Sequence, residues 1–177
     1  GLAFVPLSAE VEATSDFETT RVKCETLSKD VATCLELMPD VIVRPTFPEK
    51  EMDPVRDRFV SATKQVRDDA GQLAREHFQN ALWGEEHVRG WPVTLETIAN
   101  VTRADIVAWH RVRFRPNNAI LAVAGDINPA LLRKQLSRAF ADWARGTVWP
   151  RKNYGTPALK RVRVRLIDKP DQTQSQI

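Results

Sequence analysis

Three histidines, two cysteines and one row of alternating arginines are the residues whose types could do chemistry in this chain. His77 and His87 are ten positions apart, so one helical face cannot offer both as neighbouring ligands, and neither H-E-x-x-H nor H-x-x-E-H occurs. They do not make a metal site by themselves. His110 falls on the apolar side of a helix with Ile106, Trp109 and Phe114, the setting of a hydrogen-bonded packing histidine. Glu85-Glu86-His87 puts carboxylates beside an imidazole, but adjacent charged residues in a turn are ordinarily just solvated. Cys24 and Cys34 lack the C-x-x-C spacing of a zinc ribbon, are too few for a disulfide framework, and read as small buried hydrophobes that leave the redox compartment open. Nucleophilic catalysis has no local support, because G-x-S-x-G is absent and neither cysteine has a nearby histidine. Gly125-Asp126 lacks the G-x-G-x-x-G spacing of a dinucleotide site. Arg161, Arg163 and Arg165, with Lys160 and Lys169, could track phosphates, yet no aromatic residues interleave to stack bases, so a solvated or partner-paired face is the plainer reading.

Positioning these residues requires a folded core, and 42% apolar residues in a chain of 177 can supply one. The formal net charge is +3, from 26 basic and 23 acidic side chains, too even a balance to imply obligate nucleic-acid binding. The longest apolar run, Ala119 to Ala124, is far short of the ~20 residues a bilayer span needs, and no signal peptide is visible. Gly1 in place of Met, and an end at Ile177 soon after a strand-like run, read as a segment of a longer polypeptide.

Residues 4–14 read as an extended segment. From 19 to 26 the chain alternates, with Thr20, Val22, Cys24 and Thr26 on one face and Arg21, Lys23 and Glu25 on the other, which predicts a half-buried strand. Ser28 is the expected N-cap of a helix bearing Val31, Cys34, Leu35 and Met38, which Pro39 should kink or end. A long amphipathic helix over 49–82, with a break near Gly71, carries Val55, Phe59, Ala62, Val66, Leu73 and Phe78 close to one stripe. A loop with Gly84, Gly90 and Pro92 leads to a short helix at 95–99, and Thr102 with Asp105 imitates a capping box opening another. Residues 118–124 predict a strand; Asn128-Pro129 starts a helix burying Leu132, Leu136, Phe140 and Trp143 and stopping at Arg145-Gly146; residues 161–167 predict a last strand. The order implies an α+β fold: one mostly antiparallel sheet holding 19–26, 118–124 and 161–167, with helices packed on it and the long helix outside. One segment over 1–177 is expected, with portions at 1–47, 48–116 and 117–177.

Three stretches taken in order carry a family resemblance. "TLSKDVATCLELMPDVIVRPTF", then "ALWGEEHVRGWPVTLETIANVTRADIVAWHRVRFRPNNAILAVAGDI", then Asn128 to Trp143 with its F-x-x-W, together resemble pitrilysin/insulinase-type zinc metallopeptidases and their mitochondrial processing peptidase relatives. The resemblance implies part of a metallopeptidase half-domain. It implies a zinc site built from an H-x-x-E-H helix, which would precede Gly1, and a glutamate roughly 75 residues later on the long helix. That glutamate should stand about fifteen residues after Phe47, which is Ala62; an accompanying family glutamate, seven positions earlier, falls on Val55. No metal ligand occupies either position, and no Asp or Glu lies between Asp57 and Asp68, so a small shift in alignment does not restore one.

The resemblance therefore implies a non-catalytic repeat or inactive partner, without catalytic or zinc residues of its own in this segment. It would help a companion half or subunit enclose a peptide substrate, with any zinc held elsewhere in the full-length protein or by the partner. An Arg-Tyr substrate-binding pair typical of inactive partners would come after Ile177. Two other readings stay open: part of an active zinc metalloendopeptidase whose ligands lie outside this segment, and a basic nucleic-acid-binding module built on the arginine row. If bacterial, the protein would be soluble, in the periplasm or the cytoplasm. Ala62 on the apolar stripe predicts burial, so that Ala62→Glu should destabilise the segment.

Overall fold

The computed structural model describes residues 9–150, 153–155, 157–158 and 161–168. Among them are six α-helices and one two-stranded antiparallel sheet, so the α+β class expected from the sequence is the class observed. The chain divides into two compact units, residues 1–46 with 107–150, and residues 47–106 with 151–177.

In the first unit, β1 (Ala9–Ser15) and β2 (Thr20–Thr26) pair in a register running from Ala9 opposite Thr26 to Ser15 opposite Thr20. Asp16 closes the turn between them: one carboxylate oxygen accepts from the amides of Glu18 and Thr19, both at 2.7 Å, and the other from the Thr19 hydroxyl. Those donors hold the Asp16 carboxyl below the usual carboxylate range, the Glu18 amide most and the Thr19 amide next. On β2 the predicted alternation is present, with Val22, Cys24 and Thr26 half-buried and Arg21, Lys23 and Glu25 exposed.

The half-buried face of β2 meets α1 (Val31–Ile42), where Cys34 is buried and Leu35 and Met38 are half-buried. Three expectations are corrected here. The helix is entered through a 3-10 turn at Ser28–Asp30, with no side-chain cap from Ser28. It does not end at Pro39 but runs three residues beyond, because the ring is fully buried and the Pro39 carbonyl still accepts from the Val43 and Arg44 amides. Finally, Cys24 and Cys34 are not separate thiols: they form a disulfide with their Cα atoms 5.9 Å apart. The antiparallel pairing of β2 with β1 turns Cys24 toward the helix, a relation that no local spacing encodes.

The second side of α1 is met by α6 (Pro129–Ala139), which contributes the buried Leu132. As the Asn128-Pro129 pair predicts, the Asn128 side chain caps α6 by accepting from the amides of Ala130 and Leu131. The helix stops at Ala139 rather than at Arg145-Gly146, and Phe140 and Trp143 lie past it, their rings tilted against each other at 5.5 Å. Trp143 donates its indole N–H to the Phe114 carbonyl.

In the second unit, the long helix is two: α2 (Met52–Asp68) and α3 (Ala70–Trp83). The break falls at Asp69, whose carboxylate accepts from the Gln72 amide and side chain and so starts α3 as a new helix. α4 (Leu95–Asn100) packs on α2 and opens with a reciprocal box between Thr94 and Thr97. α5 (Arg103–Arg113), whose residues from Val107 on belong to the first unit, opens on the predicted Thr102–Asp105 box, Asp105 accepting from the Thr102 hydroxyl and amide.

Two predicted strands are absent. Residues 119–124 and 161–168 form no strand and have no ladder partner among the described residues, and Ile120 (98%) and Val162 (91%) are almost wholly exposed. Strand-like composition expresses a preference; a strand also needs a neighbour to take its amides and carbonyls. The one sheet expected to join 19–26, 118–124 and 161–167 is therefore a hairpin of residues 9–15 and 20–26.

Candidate functional site

The α2 face carrying position 62 is where the family resemblance leads one to expect a zinc ligand. Val55, Phe59, Ala62 and Val66 recur at four, three and four, so they share one side of α2. They are not packed as the stripe predicts: Phe59 is 56% exposed, Val55 and Ala62 are exposed, and Val66 is half-buried. The break at Asp69 resets the helical phase for the rest of the stripe, leaving Leu73 half-buried and Phe78 exposed. A methyl at 62 and an isopropyl at 55 have no lone pair to offer a cation, so these residues do not fit a zinc ion. Among the described residues, no three His, Cys, Asp or Glu side chains converge as a metal site.

Each histidine sits in a different setting. His110 behaves as a packing histidine, its Nε2 hydrogen-bonded at 2.9 Å to the Ile42 carbonyl and its ring stacked on Phe114 at 4.4 Å. His87 stacks on Trp83 at 4.3 Å and lies against Tyr154 at 4.6 Å, while its Nδ1 accepts from the Arg89 amide. The imidazole of His87 is thus committed to shaping the loop rather than to Glu85 and Glu86 beside it. His77 lines a cavity of about 220 Å³ with Thr63 and Arg67 of α2, Leu73 and Glu76 of α3, and residues 92–94. No motif at the sequence level marks this cavity, because its lining comes from three separate stretches.

The loop after α3 is held tightly. Gly84 has φ 76°, the Asn80 side chain donates to the Gly90 carbonyl, and the Trp91 indole donates to the Glu85 carbonyl. Asn80 also accepts from Arg165 at 3.1 Å, which ties the last described stretch to α3. Arg161, Arg163 and Arg165 line one groove with Ala81, Val162 and Val164, and no aromatic ring is in that lining. Nothing in it supports a nucleic-acid interface. Lys160 and Lys169 lie outside the described residues. No helix among the described residues is long and apolar enough to cross a membrane.

Comparisons with known proteins agree on one family. The model for insulinase (peptidase family M16) matches residues 4–90, and the model for the peptidase M16 inactive domain matches residues 100–177. An uncharacterized zinc protease of Mycobacterium leprae is 26% identical over 155 residues, 84% of this chain and 34% of that protein. The crystal structure of a peptidase M16 inactive domain from Pseudomonas fluorescens superposes with a TM-score of 0.75 at 18% identity, covering 85% of this chain and 37% of the other. A protease from Helicobacter pylori gives a TM-score of 0.64 at 23% identity, over 86% of this chain and 37% of the other. The chain thus spans about a third of the length of these relatives.

Proposed function

Because the chain belongs to the insulinase-type (M16) peptidase family, we propose that it serves as a non-catalytic part of a pitrilysin-type peptidase, lining a peptide-enclosing chamber with a companion half. The observation that carries this reading is the α2 face. Counted from Phe47, the position where the family resemblance aims a third zinc ligand is Ala62, and the accompanying acidic position is Val55. Neither side chain can bind a metal or polarise a water. What α2 offers instead is an exposed apolar surface at Val55 and Phe59.

Such a surface suits an extended, unfolded peptide or the companion half, since each apolar side chain it covers gains roughly 25 cal/mol per Å² removed from water. The chain's contribution is then shape and contact. The chemistry of peptide hydrolysis belongs to the companion, whose zinc and water-activating carboxylate are supplied there. The named zinc proteases among the relatives make that division plausible, and the matching inactive-domain model favours this side of it.

The test is made on the full-length chain. After dialysis, metal content by mass spectrometry and cleavage of a quenched unstructured peptide are measured for the chain alone and with its companion half. Substoichiometric zinc, peptide binding without cleavage alone, and cleavage with the companion are expected. One retained zinc per chain together with cleavage by the chain alone would overturn the proposal and favour the active-peptidase reading.

A further inference from the structure

We infer that Cys24–Cys34 is a structural disulfide and that this chain folds and works in an oxidising compartment. The bond links the inward face of β2 to the buried side of α1, two elements already packed on each other. Their Cα separation of 5.9 Å is the usual span of a native disulfide, and the pair uses both cysteines of the chain.

The first unit has reason to need it. A two-stranded hairpin is marginal by itself, and only Cys34 and Leu132, with Pro39, are buried in the apolar interior among the described residues. A covalent link between β2 and α1 adds to these contacts. The bond closes a short loop, with the partners ten positions apart, and so removes freedom from the unfolded chain while fixing α1 against the hairpin.

Its setting also argues against a switch. Cys34 is only 7% exposed and Cys24 is half-buried on the strand face that meets α1, so access of an external thiolate to either sulfur is restricted. Neither cysteine belongs to a C-x-x-C pair. Forming the bond takes two protons and two electrons from the two thiols; the electrons reduce the disulfide of a thiol–disulfide oxidoreductase to its dithiol. Such oxidants sustain disulfides in the periplasm or outside the cell, whereas a cytosolic thiol pool keeps cysteines reduced.

The test begins in intact cells producing the full-length protein from its own gene. Thiols are trapped with an alkylating reagent before lysis, and Cys24 and Cys34 are read by mass spectrometry without reduction. A linked Cys24–Cys34 peptide pair with no alkylated form is expected; alkylation of both residues would overturn the inference. On purified protein, dithiothreitol should lower the melting temperature by about 5–10 °C. It should reduce the native bond at least about 100-fold more slowly than the urea-unfolded one. Equal reduction rates, or a melting temperature unmoved once both thiols are free, would show that the bond is not structural. A Cys24→Ser/Cys34→Ser double variant should melt with the reduced wild type and ignore reductant. If that variant does not fold, trapping and reduction of the wild type still decide.

Discussion

Asn117 and Gly146 hold each other by two reciprocal hydrogen bonds: the Asn117 side-chain amide donates to the Gly146 carbonyl at 2.9 Å, and its oxygen accepts from the Gly146 amide at 3.2 Å. The pair pins the chain leaving α6 against the turn after α5, and Arg115 runs beside it, donating to the Ala144 carbonyl. Asn117→Ala should therefore lower stability by about 1–2 kcal/mol, the worth of two such bonds. Asn117→Asp should recover only the acceptor half. Urea unfolding of the three proteins checks the order.

Gly90 is required for space. A Cβ there would overlap the carbonyl oxygen of Gly84 and come within 3.0 Å of its carbonyl carbon, both of them backbone atoms. The Gly90 carbonyl is held by Asn80 and its amide by the His87 carbonyl, so the loop has little room to shift. Gly90→Ala is expected to cost about 2–3 kcal/mol or more by overpacking. Thermal melting within 1 °C of wild type would contradict this.

At position 62 the structure reverses the outcome expected from the sequence. An exposed side chain on α2 tolerates a carboxylate without a desolvation penalty, so Ala62→Glu should change stability by no more than about 0.5 kcal/mol. Denaturant midpoints of the wild type and the variant test it. A large loss would mean that this face is covered in solution.

Asp105 makes the α5 start sensitive to acid. The Thr102 hydroxyl, and after it the Thr102 amide, hold the Asp105 carboxyl below its usual range. A depressed folded value contributes stability that is fully present above the unfolded value, about pH 4, and is lost as pH falls through the lower folded value. The difference in melting temperature between wild type and Asp105→Asn should therefore shrink on going from pH 7 to pH 2. A constant difference would assign the effect to the uncharged hydrogen bonds. Thr102→Ala should remove about 1 kcal/mol at neutral pH.

What the sequence by itself determined was local. The caps at Asn128 and at Thr102–Asp105, the alternation along 20–26, the packing role of His110 and the succession of family motifs all rest on residues within a few positions of each other. Short-range hydrogen bonds and helical or strand periodicity act on that scale, so these features survive into the fold. That position 62 is an alanine is likewise a matter of residue type, whereas its place as the family's ligand position rests on the resemblance alone. Tertiary structure alone decided that Cys24 meets Cys34, since that requires β1 to orient β2 against α1. It decided that Pro39 stays inside a helix, because burial of its ring against neighbours outweighs the lost amide. It also decided that the stripe at Val55, Phe59 and Ala62 is uncovered, and that the apolar stretch 119–124 and the alternating stretch 161–168 join no ladder among the described residues. Burial and strand pairing each need a second surface, and amphipathic periodicity encodes the demand for that surface without encoding its presence.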